Sequence, residues 1–146
     1  MKKKKSQYLV VGLGRFGSAV ATALAEQGMQ VLAIDRNYDV VEAHRGRLTD
    51  VVRGDAMDVG VLTQLGVADF DAAIITMGDD VKASSVITMH LKELGVPCVI
   101  AKASDDFHGR MLTRLGADKV IFPERDMGRR VAHNLVSKKI MDFIEL

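Results

Sequence analysis

Residues 9–20, LVVGLGRFGSAV, run an apolar segment into three glycines, Gly12, Gly14 and Gly17, after which apolar residues resume at helical spacing. A strand that enters such a loop and leaves it as a helix must be the first βα unit of a larger sheet, because a helix packed back on its strand leaves both sheet edges unpaired. The next β-type run ends in an acidic residue, Asp35, roughly twenty residues on, which completes the context that a G-x-G-x-x-G loop needs to hold a nucleotide. In that reading Gly12 permits the tight turn, Gly14 lets the backbone approach phosphates, and Gly17 allows helix and strand to pack closely. The helix N-terminus beyond supplies free N–H groups and a partial positive charge.

The rest of the chain repeats the pattern. Short apolar runs at 8–11, 31–34, 50–52, 72–76, 98–101 and 119–122 alternate with helix-length amphipathic segments. This order predicts a Rossmann-type α/β fold, a doubly wound six-stranded parallel sheet covered on both faces. Phe16, Ala19, Val20, Ala23 and Leu24 follow one helical stripe, which is expected to face the sheet. Gly28, Gly66, Gly95 and Gly116 each follow a helix-length segment and mark its end. The last segment carries Met127, Val131, Leu135 and Val136 on one expected helical face, then Ile140, Met141, Phe143, Ile144 and Leu146. Such an apolar tail is expected to pair with a second subunit or to lead into further chain.

Length and composition limit what this fold can do. The 146 residues suffice for one domain with a real core, and leave no room for a separate substrate domain. No run of 18 or more apolar residues is present, and the loop glycines interrupt the only apolar stretch near the basic start, so a cytoplasmic location is expected. The formal net charge of +1 includes Lys2 to Lys5, so the body of the chain is net acidic. With no basic face elsewhere and no helix-turn-helix, nucleic acid is not an expected partner. The single cysteine, Cys98, reads as a buried packing thiol.

Polar residues collect at the carboxyl ends of the expected strands, where open α/β sheets bind ligands: Asp35 and Arg36, Asp55 and Ala56, Met77 and Gly78, Lys102, and Glu124. Asp79, Asp80 and Ser104 read as helix caps. Asp35 suits ribose hydroxyls and opposes a 2′-phosphate as like charge, with Arg36 beside it as a moderating cation. Arg15 is unusual for a loop whose backbone already serves a pyrophosphate, and points to the extra phosphate charge of ATP or ADP; a solvated first-turn arginine is the plain alternative. His44, His90, His108 and His133 fall within expected helices away from this edge and read as solvated or half-buried structural residues. No nucleophile–base arrangement or metal-ligand spacing appears, so the chain is not read as an enzyme.

Taken in order, VVGLGRFG, DRN, GDA, LKELGVP, IAKA and RLGADKVIFPERDMG resemble the N-terminal RCK (TrkA-N) domain of potassium-transport regulators, above all the cytoplasmic subunit of Ktr-type uptake systems. The resemblance implies a basic tail at 1–6, a nucleotide-binding domain at 7–123 and a subunit-crossing helix at 124–146, with the family's smaller C-terminal domain absent from this chain. It implies a nucleotide site in which Gly12, Gly14 and Gly17 line the phosphates, Leu13 and Phe16 belong to the same binding loop, Arg15 reaches toward the terminal phosphate, Asp35 holds the ribose and Asp55 and Ala56 lie near adenine. Lys102 would stand at the rim, and Glu124 would help hold a divalent cation at the phosphates. It further implies dimers that assemble into a ring, an octamer in the family, on the inner face of the membrane against a potassium-transporter subunit. The other reading left open by the residues is a truncated NAD-dependent oxidoreductase or an NAD(H) redox sensor.

Overall fold

A computed structural model describes residues 6–137. Lys2 to Lys5 and the tail residues Ile140, Met141, Phe143, Ile144 and Leu146 lie outside the described residues.

Six strands, β1 (Gln7–Val11), β2 (Gln30–Asp35), β3 (Asp50–Arg53), β4 (Ala72–Ile75), β5 (Val99–Lys102) and β6 (Lys119–Ile121), form one parallel sheet in the order β3-β2-β1-β4-β5-β6. The helices are α1 (Arg15–Glu26), α2 (Tyr38–His44), α3 (Val59–Gln64), α4 (Val81–Glu93), α5 (Asp106–Arg114) and α6 (Pro123–Ser137), with one 3₁₀ turn at Val67–Asp69. The winding reverses at β1, which pairs with β2 on one side and β4 on the other. That switch point opens a crevice at the carboxyl ends of β1 and β4.

Alternation along β1 divides the core. Leu9 and Val11 face a cluster with Ile75, Leu62 of α3, Ile87 and Leu91 of α4 and Leu112 of α5, while Val10 faces a smaller cluster with Val31, Ala33 and Ala21 of α1. All three β1 residues are buried, as a central strand covered on both sides requires.

Several expectations shift by a residue or more. β2 gains Gln30 and Asp35, and β3 gains Arg53, while Thr76 and Phe122 fall just outside β4 and β6. Cys98 precedes β5 and is half-buried, its carbonyl accepting the Ala73 N–H at 2.9 Å. The expected stripe of α1 is rotated: Ala19 and Ala23 are exposed, and the inward face is Gly17, Val20, Ala21, Leu24 and Ala25. The cause is Gly17, where a Cβ would stand 1.9 Å from the Gly12 carbonyl oxygen. The helix touches its strand there, and a glycine carries no hydrophobic signal to mark the contact.

α6 has no buried residue. The Asp126 carboxylate accepts the Phe122 N–H at 3.0 Å and fixes the start of this helix. Val136 is 88% exposed and does not share a face with Met127, since nine residues make about two and a half turns. No helix among the described residues is long and apolar enough to cross a membrane.

Candidate functional site

The crevice at the switch point is a cavity of about 1120 Å³. Its floor is the glycine loop. Gly12 has φ +95°, a left-handed conformation that other residues rarely adopt, and this turns the chain out of β1. Gly14 is the N-cap of α1 and offers no side-chain cap, while a Cβ added there would meet nothing within 4 Å. The first-turn N–H groups of α1 thus belong to residues that line the cavity, with space above Gly14 for an anion to come close.

Asp35, the last residue of β2, projects from the facing wall. Its carboxylate accepts the Leu13 N–H at 2.8 Å through one oxygen and the Asn37 N–H at 2.9 Å through the other. Each oxygen keeps acceptor capacity for a ligand hydroxyl. Asp55 makes the same kind of turn bond, its Oδ1 accepting the Met57 N–H at 2.9 Å.

Of the residues singled out from sequence, Gly12, Gly14, Arg15, Phe16, Gly17, Asp35, Arg36, Asp55, Ala56, Met77, Lys102 and Glu124 all line this one cavity. Two do not. The Leu13 side chain is buried in the smaller core cluster, so only its backbone serves the site. Gly78 packs its backbone against Lys102, where an added Cβ would stand 3.2 Å from Lys102 Cγ. Asp79 and Asp80 both line the cavity, and Asp80 also caps α4, accepting the Ala83 N–H at 3.0 Å, while Ser104 yields the capping of α5 to Asp105, which accepts the His108 N–H at 2.8 Å.

Sequence reasoning missed Thr76 and the underside of α6. Thr76 is 7% exposed, and its hydroxyl lies 2.9 Å from the Val11 oxygen and 2.8 Å from the Gly12 oxygen. Met127, Gly128 and Val131 of α6 form the cavity's apolar side. The apolar spacing of α6 signalled a contact surface, and its position over the crevice required the fold.

The site carries both signs of charge. Among the described residues the ion pairs are Arg45–Glu42, Lys92–Asp118 and Arg125–Asp106, so Arg15, Lys102 and Glu124 are not committed to one another. Among the described residues no cluster of three or more His, Cys, Asp or Glu groups is arranged to hold a metal ion. Protein ligands alone therefore do not build a cation site around Glu124, and a cation there would need phosphate oxygens as well.

The histidines line no part of the cavity, but two are far more buried than expected. His108, 1% exposed, accepts the Ser104 N–H at Nδ1 (3.0 Å), so its proton lies on Nε2 and is donated to Ser84 Oγ at 2.8 Å. Desolvation holds its pKa below the usual histidine value, against a smaller opposing effect of the Asp105 carboxylate. In His44, Nδ1 lies 2.8 Å from the Val40 carbonyl and must donate to it, and Nε2 lies 2.8 Å from Ser18 Oγ. His90 is half-buried and His133 exposed.

The TrkA-N domain family model matches residues 8–123. The chain is similar to Ktr system potassium uptake protein C of Bacillus subtilis (strain 168), 42% identical over 142 residues covering 97% of this chain and 64% of the relative. It is also similar to Ktr system potassium uptake protein A of Vibrio alginolyticus, 41% identical over 143 residues covering 98% of this chain and 65% of the relative. The chain thus spans just under two thirds of the length of these relatives. Among solved structures, the TrkA-N domain of the inner membrane protein YbaL from Escherichia coli superposes with a TM-score of 0.81 at 22% identity, covering 92% of this chain and 99% of that one. The GsuK channel bound to NAD gives 0.77 at 22% identity over 90% of this chain and 24% of that one. GsuK bound to ADP gives 0.75 at 22% identity over 88% and 34%. At these identities the structural likeness is one of fold.

Proposed function

The chain belongs to the TrkA-N domain family, and we propose that it is the nucleotide-sensing domain of a regulatory subunit for potassium uptake. The observation that carries this reading is the convergence of the glycine loop, Arg15, Asp35 and the root of α6 on one cavity. A phosphate over Gly14 would meet the α1 N-terminus and Arg15, a ribose would reach the Asp35 carboxylate, and adenine would lie between Asp55, Ala56 and the strand ends. The ligand is ATP or ADP, with Arg15 answering the terminal phosphate and Lys102 at the rim. Glu124, in the first turn of α6, would share a divalent cation with the phosphates.

The role is regulatory, not catalytic. In this reading α6 and the segment beyond it pair subunits, dimers close into a ring, and the ring acts on a membrane potassium-transporter subunit from the cytoplasmic side. The Ktr relatives support the transport assignment, and the exposed Met127 and Leu135 of α6, at 54% and 48%, support pairing through that helix. NAD(H) remains the second reading, because the cavity of about 1120 Å³ is roomy enough for a dinucleotide and the GsuK channel has been solved with NAD.

Mass analysis of the nucleotide that copurifies with the protein, followed by calorimetry with ATP, ADP and NADH, tests the reading. Preference for ATP or ADP supports it, and preference for NADH moves the assignment to the second reading. Failure of all three to bind with a Kd below about 1 mM would remove the nucleotide site.

A further inference from the structure

The Gly12–Leu13 peptide is held at both ends by side chains from opposite walls of the crevice. Gly12 N–H donates to the Ile34 carbonyl on the β2 side at 2.9 Å. In a regular strand the carbonyl of the same residue would point to that side too. The positive φ of Gly12 turns it instead toward β4, where Thr76 Oγ lies 2.8 Å away. The N–H of the same peptide, that of Leu13, donates to Asp35 Oδ2 at 2.8 Å on the β2 side. One peptide plane is therefore pinned by Thr76 at its oxygen and by Asp35 at its hydrogen.

The geometry points to Thr76 as a positioning residue for the phosphate-binding loop, a role that rests on the nucleotide reading above. Its hydroxyl has one proton shared between the Val11 and Gly12 oxygens. Val11 O already receives the Thr76 backbone N–H at 3.0 Å, so the Gly12 carbonyl is the group that depends on the hydroxyl. Gly12 is buried, and a buried carbonyl needs a partner. The hydroxyl also fills the space left by two glycines, since a Cβ on either Gly12 or Gly17 would stand 2.7 Å from it. Thr76 thus sets how the loop leaves β1 and how α1, with its free N–H groups, meets the cavity.

Thr76→Val keeps the shape and removes the proton. Its methyl would oppose the Gly12 oxygen at 2.8 Å, inside the normal C···O contact of about 3.3 Å, and the peptide would turn away to find water. A nucleotide must then restore the loop on binding. If the productive orientation falls to about one tenth of the population, the apparent Kd for a phosphate-bearing ligand rises about tenfold. Thr76→Ser returns the hydroxyl and with it the affinity.

The experiment combines ADP calorimetry with amide hydrogen exchange at Leu13 in the ligand-free protein, for wild type, Thr76→Val and Thr76→Ser, each first checked for cooperative unfolding. The expected result is faster Leu13 exchange and about tenfold weaker ADP binding in the valine variant, both reversed by serine. Unchanged exchange and affinity in the valine variant overturn the role, as does equal loss in both variants, which would show that the hydroxyl alone does not restore the loop and would assign the effect to side-chain fit at this position. If wild type binds no ADP, the ADP assignment fails on its own, and Leu13 exchange still decides whether Thr76 holds the loop.

Discussion

Asp35 accepts the Leu13 amide N–H at 2.8 Å across the crevice, so the residue suited to a ribose also fixes the loop suited to phosphates. In the proposed function one carboxylate would serve both halves of the ligand.

Asp35→Ala is therefore expected to weaken ATP, ADP and NADH alike, by about 1.5–3 kcal/mol for lost bonds to a charged acceptor. It should also lower the melting temperature without ligand, because the Leu13 and Asn37 N–H groups lose their partner. Calorimetry and thermal melts check both, and retained affinity for all three nucleotides would remove Asp35 from the site.

Arg15→Ala should discriminate between nucleotides. Loss of a charge-assisted contact to the terminal phosphate is expected to cost ATP about 1.5–3 kcal/mol and NADH much less. Equal losses in calorimetry would mean that Arg15 contributes only general positive potential.

Gly14 and Gly17 should separate binding from folding. Gly17→Ala drives a methyl to within 1.9 Å of backbone and is expected to destabilise the fold by at least about 1–3 kcal/mol. Gly14→Ala meets nothing within 4 Å, so its denaturation midpoint should match wild type while its methyl occupies the space a phosphate needs. A destabilised Gly14→Ala, or one with undiminished ADP affinity, would contradict this division.

His108 should make the fold sensitive to mild acid. Its folded pKa lies below the ordinary value of 6.5 because of desolvation, so the unfolded chain takes up a proton first as pH falls. The contribution is fully present above pH 6.5 and declines below it, down to the folded pKa. A proton on Nδ1 would oppose the Ser104 N–H, which sits two residues beyond the cavity residue Lys102. Unfolding measured from pH 7.5 to 5 should show this loss, and His108→Gln should flatten it; an unchanged slope would place the sensitivity elsewhere. Asp106, held low by its bond to Arg125, and Asp118, held low by the Val99 N–H and Lys92, add losses only in the more acidic carboxylate range.

Glu124 should couple ligand identity to assembly. ATP brings one more phosphate than ADP toward Arg15 and the root of α6, and only such a difference in contact energy can shift a conformational equilibrium. A shift of about 1–3 kcal/mol would give distinguishable solution scattering for the two saturated forms. Glu124→Gln is expected to shrink the difference and leave ADP affinity nearly intact. Identical profiles in wild type would reduce the domain to a passive nucleotide-bound scaffold.

The strand–glycine–helix opening, the acidic end of β2 and the alternation of apolar runs with amphipathic segments determined the six-stranded parallel sheet and the glycine-loop and strand-end part of the cavity lining, because these depend on local backbone geometry and on periodicity along the chain. What only the tertiary structure decided lies across strands that are distant in sequence. Thr76 reads as one more polar residue at a strand end until β4 is set beside β1, 65 residues apart from Val11, and its hydroxyl meets the Gly12 carbonyl. α1 presents Gly17 and Ala21 inward and leaves Ala19 and Ala23 out, because a backbone contact fixed its rotation where hydrophobicity gave no signal. His108 is buried by α4 and the segment after β5, and no pattern within α5 distinguishes it from a solvated residue. Periodicity reports which faces are apolar; rotation, tautomer and the pinning of a single peptide follow from how close two backbones come.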